Sequence, residues 1–205
     1  AGKAGKDGAG LVFLGIAQGI GNSVGAFQSG NDAFVAAEEE EGFHSFRKTV
    51  SEREKPTIVL FFGDHQPNVE TEFIEDLVGK PWTSFDMDEV QSRYTVPFFI
   101  WCNYDIEEAY YDSISVNYLS TLAMEVAGVE MPAYNQYLSK LYGTLPAVNS
   151  LGYKDAEGLW HYFREENDLT PYLNGYELVQ YDYLFGKKNR VNTLYHVQVD
   201  EITEK

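Results

Sequence analysis

Hydrophobic and polar positions divide this chain into segments of two distinct periods. Between Asn31 and Ser51, the residues Phe34, Val35, Phe43, Phe46 and Val50 fall on one helical stripe, and Glu38–Glu41 form a solvated face. That pattern predicts a helix capped by Asn31 or Asp32. Pro56 stops it. The run Thr57-Ile58-Val59-Leu60-Phe61-Phe62 that follows is apolar or β-branched throughout and lies between a proline and a glycine. It predicts a strand covered on both faces.

Farther along, Glu70 to Val78 reads as a short helix, and Gly79 to Asp88 as a loop or lid containing Trp82. Tyr94 to Asn103 reads as a second buried strand, and Pro97 near its start favours an edge or an early strand position. Ser115 to Ala127 predicts a helix with Tyr118, Leu119, Leu122, Ala123 and Val126 inward and Gly128 as its C-cap. Pro132 to Leu141 predicts another. Beyond Leu145 the expected features are turns at Gly152 and Gly158, a strand or helix over Tyr176–Leu184, and a terminal strand over Asn192–Ile202. Alternating strands and helices place the chain in the α/β class.

The first thirty residues differ in kind, holding nine of the eighteen glycines. Ordering so much glycine carries a high backbone entropy cost, so residues 1–30 are expected to be loosely ordered and residues 31–205 to form the domain. Gly2-Lys3 and Gly5-Lys6 lack the preceding strand and following Ser or Thr of a phosphate-binding loop. Leu11–Ile20 is the longest apolar stretch, and glycines interrupt it well short of a bilayer span; no anchor or clean signal peptide is read.

A formal net charge of −17 excludes nucleic acid and anionic membrane as broad-surface partners. A phosphate or sulfate ester could still bind where a divalent cation offsets the acidity. The single cysteine, Cys102, excludes an intrachain disulfide and a cysteine-based zinc cluster, and it reads as a buried thiol.

Gly63-Asp64-His65 carries the candidate chemistry. An acid and an imidazole side by side past a strand end stand where open α/β sheets bind ligands. Their hard oxygen and borderline nitrogen suit Zn, Mn or Fe better than Ca. Gly63 would permit a sharp bend that turns both toward one pocket. On spacing alone a surface turn is the commoner reading. His44 reads as a core-edge histidine, His161 as a substrate contact or part of an aromatic cluster, and Lys187-Lys188 as a charged element end. His196 has no evident partner.

The segment from Pro56 to Pro67, ending Gly63-Asp64-His65-Gln66-Pro67, resembles lipoteichoic acid synthase-like phosphoglycerol transferases and sulfatases of the alkaline phosphatase superfamily. Ordered matches follow at Val96-Pro97-Phe98-Phe99-Ile100-Trp101, Asn103-Tyr104-Asp105-Ile106 and Ile114-Ser115-Val116-Asn117-Tyr118-Leu119. They continue at Ala127-Gly128 and from Tyr181-Asp182-Tyr183-Leu184-Phe185-Gly186 to Lys187-Lys188, so the resemblance spans roughly 31–188.

The resemblance implies an alkaline-phosphatase-like, mostly parallel sheet flanked by helices, of which this is the incomplete C-terminal part. It implies a divalent ion (Mn, Zn or Mg) with Asp64 and His65 as ligands. It further implies a phosphate- or sulfate-ester substrate, lipid-linked glycerol phosphate among the candidates. The whole protein would be extracytoplasmic and membrane-anchored. The family's nucleophile and remaining ligands lie upstream of the matched region, and residues 1–30 resemble neither. Asp64 and His65 alone would hold a metal weakly, and the isolated chain would be inactive. A non-catalytic binding module derived from the same fold is the alternative, and an ordinary α/β domain with a surface turn the third reading.

Overall fold

The computed structural model describes residues 41–164 and 166–197, together with the backbone of 11–18. Four strands form the main sheet: Leu11–Gln18 (β1), Ile58–Phe62 (β2), Thr95–Cys102 (β3) and Ala109–Ser115 (β4), in the order β2-β3-β1-β4. Glu41–Ser51 (α1) precedes β2, and Thr71–Val78 (α2) and Met87–Ser92 (α3) lie between β2 and β3. Val116–Ala127 (α4) follows β4 without a break, and Ala133–Tyr142 (α5) follows α4. Three short strands, Ala147–Val148 (β5), Gly152–Lys154 (β6) and Trp160–Tyr162 (β7), make a separate antiparallel sheet before Thr170–Phe185 (α6).

β3 organises the core because its side chains alternate between two covered faces. Val96, Phe98, Ile100 and Cys102 pack against Ile114, residues of α4 and α5, and Tyr176 of α6. Phe99 and Trp101 point the other way, onto Val50 of α1, with Phe43 and Val59 alongside. Burial of Cys102 raises its thiol pKa, as expected for an inert core cysteine.

The sheet corrects the expectation of mostly parallel pairing. β3 is antiparallel to β2 on one side and to β1 on the other, and only β1–β4 pair in parallel. β1, β2 and β4 therefore all run one way, and a single reversed strand in the middle makes two of the three pairings antiparallel. A strand apolar on both faces has the same composition in either direction, so its sequence does not reveal its orientation.

Other expectations shift for physical reasons. β2 is an edge strand, and Phe61 and Phe62 remain 43% exposed, whereas coverage on both faces was expected. Pro97 is the third residue of β3, the early position that was one of the two expected, in a strand interior to the sheet. Its carbonyl accepts from Gly63 at 3.1 Å just beyond the last β2 pair, so its missing N–H faces the side where the ladder has ended. The lid region contains a 3-10 turn at Trp82–Ser84 and then α3, which opens with a capping box between Asp86 and Glu89. Asn192–Leu194 is a 3-10 turn rather than the start of a strand, and the end of that expected strand lies outside the described residues.

The helix expected from Asn31 is described from Glu41, and its earlier residues lie outside the described set. Tyr176–Leu184 belongs to α6. The strand at Leu11–Gln18 falls in the glycine-rich segment, where no element was predicted.

Candidate metal-binding turn

Direction of the strands sets the position of the site. Because β1, β2 and β4 are co-directional, their carboxyl ends meet one rim of the sheet. Gln18 at the end of β1 pairs with Thr95 and with Ser115, the start of β3 and the end of β4. Gly63-Asp64-His65 emerges at the corresponding end of β2, the rim where open α/β sheets place ligands.

Gly63 has a different role from the one its identity suggested. It is not among the residues with positive φ. A Cβ at this position would stand 3.0 Å from Val96 Cβ and 3.3 Å from Val96 Cγ1. Glycine suits the close approach of the chain to the buried Val96, where a Cβ would be tight, and the bend is made by the residues after it.

Within the turn, Asp64 Oδ1 accepts the His65 amide at 2.8 Å, and His65 Nδ1 lies 2.9 Å from the Gln66 carbonyl. Since a carbonyl can only accept, that contact selects the tautomer with the proton on Nδ1 and leaves the Nε2 lone pair outward. His65 Nε2 stands 3.4 Å from Asp64 Oδ2, with the two side chains 59% and 84% exposed. The pair is thus brought together and reachable from solvent.

This donor set fits part of a divalent site. Two ligands ~2.0–2.2 Å from a tetrahedral ion stand about 3.3–3.6 Å apart, which matches the separation of Oδ2 and Nε2. A backbone carbonyl on the second ring nitrogen is the usual means of orienting a ligating histidine. No third His, Cys, Asp or Glu joins them among the described residues, so at least one further donor is needed for a closed site.

Polar residues of the other matched segments are committed to architecture. Asn103 accepts the Thr57 amide at 2.7 Å and donates to the carbonyls of Arg53 and Lys55, fixing the entry to β2. Ser115 donates to the Val148 carbonyl at 2.8 Å and accepts the Val148 amide at 2.5 Å, joining the two sheets. Asn117 donates to the Tyr176 hydroxyl at 2.6 Å, tying α4 to α6. Asp182 accepts from Tyr195 at 2.9 Å and from the Val191 amide, holding the return after α6. The hydrogen bonds of Asp64 and His65 described above, by contrast, stay inside their own turn.

The remaining histidines do not join this pair. His44 and His196 are exposed. His161 stacks on Tyr153 with centroids 5.2 Å apart and places Nε2 2.6 Å from Asp155 Oδ2. Burial pushes the Asp155 carboxyl upward, but the His161 and Leu159 hydrogen bonds outweigh it and hold the group below its ordinary range. Lys187 and Lys188 are exposed in a 3-10 turn after α6. The sequence reading did not single out the Gln66 side chain, which donates to the Ser92 carbonyl at 3.2 Å and to the Thr95 carbonyl. Its one local signal was the adjacent Pro67.

No protein-family model matches the chain. It is 27% identical over 142 residues to a putative cyclic β-1,2-glucan modification protein of Rhizobium meliloti (strain 1021), covering 67% of this chain and 22% of that protein. Its fold matches the Streptococcus pyogenes phosphoglycerol transferase GacH, solved in complex with sn-glycerol-1-phosphate. That match has a TM-score of 0.51 and 18% identity, and it covers 76% of this chain and 35% of the other. The resemblance to phosphoglycerol transferases is borne out. At that identity the structural likeness speaks for the fold alone. The chain spans about a fifth of the length of the curated relative and about a third of the solved one. No helix among the described residues is long and apolar enough to cross a membrane.

Proposed function

We propose that this chain is part of a metal-dependent enzyme of the cell envelope that transfers or hydrolyses phosphate or sulfate esters. Asp64 and His65 would supply two of its metal donors. The observation that carries the proposal is the outward-facing Oδ2–Nε2 pair, 3.4 Å apart at the sheet rim, with the imidazole oriented by the Gln66 carbonyl. The alkaline-phosphatase-like fold and the likeness to a transferase solved with glycerol phosphate favour a phosphoglycerol ester among the possible substrates.

A divalent ion held there would polarise the ester oxygens and lower the pKa of an attacking hydroxyl. The chain's own residues have narrower tasks. Asp64 contributes charge and one oxygen, and His65 contributes Nε2. The Gln66 carbonyl keeps the His65 proton on Nδ1, and Gly63 lets the turn start directly above Val96. Two donors make weak binding and an inactive isolated chain the expected outcome. Envelope localisation and anchoring of the whole protein follow from the family resemblance.

Calorimetric titration of the chain with Mn²⁺ and Zn²⁺ tests the reading. Asp64→Ala and His65→Ala should each weaken binding at least ~10-fold. Equal affinity in all three proteins would remove the metal-site assignment.

A further inference from the structure

Gln66 spans two roles through two different groups. Its main-chain carbonyl receives the His65 ring, and its side-chain amide crosses to a separate part of the fold. Nε2 donates to the Ser92 carbonyl at the end of α3 and to the Thr95 carbonyl at the start of β3. Both partners are acceptors, so only the NH₂ end of the amide can face them, and the Oε1 atom is buried without a partner. Pro67 restricts Gln66 to extended backbone, which limits the directions its carbonyl can take.

The far side of this bridge is itself fixed. Thr95 Oγ1 donates to the Gln91 carbonyl at 3.1 Å. The buried Gln91 side chain exchanges hydrogen bonds with Asn149, in the turn between β5 and β6. An exposed, glycine-led turn is thereby docked onto a packed helix end at the one residue that also orients the imidazole.

We propose that Gln66 is a positioning residue for the Asp64–His65 donor pair: its docked amide holds the carbonyl that fixes the His65 tautomer and ring direction. This rests on the reading of Asp64 and His65 as metal donors. Outer-shell partners of this kind typically change metal affinity about 10- to 100-fold when removed. Removal of a purely structural surface contact would leave the imidazole unaffected.

The test uses the full chain, ¹⁵N-labelled, with Co²⁺ as the probe. Gln66→Met keeps the side-chain volume and removes both donors; Gln66→Glu keeps the shape and sets a carboxylate against two carbonyls. In the parent, His65 should show the Nδ1–H tautomer by long-range ¹H–¹⁵N correlation. In at least one folded variant, that signature should become a tautomer mixture and Co²⁺ affinity should fall about 10-fold or more, at an unchanged melting temperature. Co²⁺ affinity within twofold of the parent, with the tautomer kept, overturns the positioning role. If Asp64→Ala loses Co²⁺ in the same series, the donor reading survives that result. If Asp64→Ala binds Co²⁺ like the parent, the donor reading fails, and the inference with it.

Discussion

At residue scale, the same hydrogen-bonding chemistry serves two ends. Asn103, Ser115, Asn117 and Asp182 direct their polar atoms into backbone and hydroxyl partners from distant parts of the chain. Such residues are visible in a sequence as polar letters inside apolar segments, but their partners lie 9 to 59 positions away and cannot be read from it. Asp64 and His65 were legible as a candidate because their chemistry and position at a strand end are local. Gln66 was not, because its partners at Ser92 and Thr95 arrive only when α3 folds over the turn. Ser115 gives the sharpest architectural test. It is fully buried, and Ser115→Ala leaves both main-chain groups of Val148 without that partner. Chemical denaturation should show a loss of about 1–3 kcal/mol with little change in the Asp64–His65 turn.

At element scale, periodicity revealed β2, β3, α2, α4 and α5, but not β1, β4, α3 or the short strands β5–β7, and it did not give strand direction or neighbours. β2 and β3 were both visible as apolar runs. Their antiparallel pairing, and the exposure of Phe61 and Phe62 at the edge, depend on which strand folds beside which. α6 illustrates the same limit. Its apolar and polar residues are intermixed around the axis, and Tyr176 is buried while Leu178, Tyr181, Leu184 and Phe185 are exposed. Two leucines should therefore behave oppositely. Leu138, at 0% exposure in α5, should cost about 2–5 kcal/mol on replacement by alanine. Leu178, at 70% exposure, should shift stability by no more than about 0.5 kcal/mol on the same change. Gly152 was read as a turn and is instead the first residue of β6, where a Cβ would collide with the His161 carbonyl and come within 2.6 Å of Met87 Cε. Gly152→Ala should lower the melting temperature even though no positive φ is involved, because the obstacle includes backbone.

At the scale of the whole molecule, two collective properties matter: buried tyrosines and net acidity. Burial pushes the hydroxyls of Tyr142 and Tyr195 up to about 12, and those of Tyr118 and Tyr176 in the same direction. Their folded pKa values lie above the unfolded value near ~10, so the stability they contribute is complete below that pH. It is lost as pH rises through about 12. Ionisation of these four tyrosines should accordingly coincide with the loss of helical circular dichroism in one alkaline transition. Ionisation of the four with the fold intact would contradict the packing described for α4, α5 and α6.

The net charge of −17 affects any cation experiment, since a diffuse counterion cloud gathers on such a surface whether or not a site exists. The decisive measurement therefore has to locate the ion. A ¹H–¹⁵N correlation spectrum of the full chain with substoichiometric Mn²⁺ does so through paramagnetic broadening. The account predicts that signals of Gly63 to Gln66 and of the facing Ser92 to Val96 disappear first, and that Asp64→Ala abolishes this pattern. Broadening spread over exposed Asp and Glu residues, unchanged by Asp64→Ala, would show that the turn holds no cation of its own.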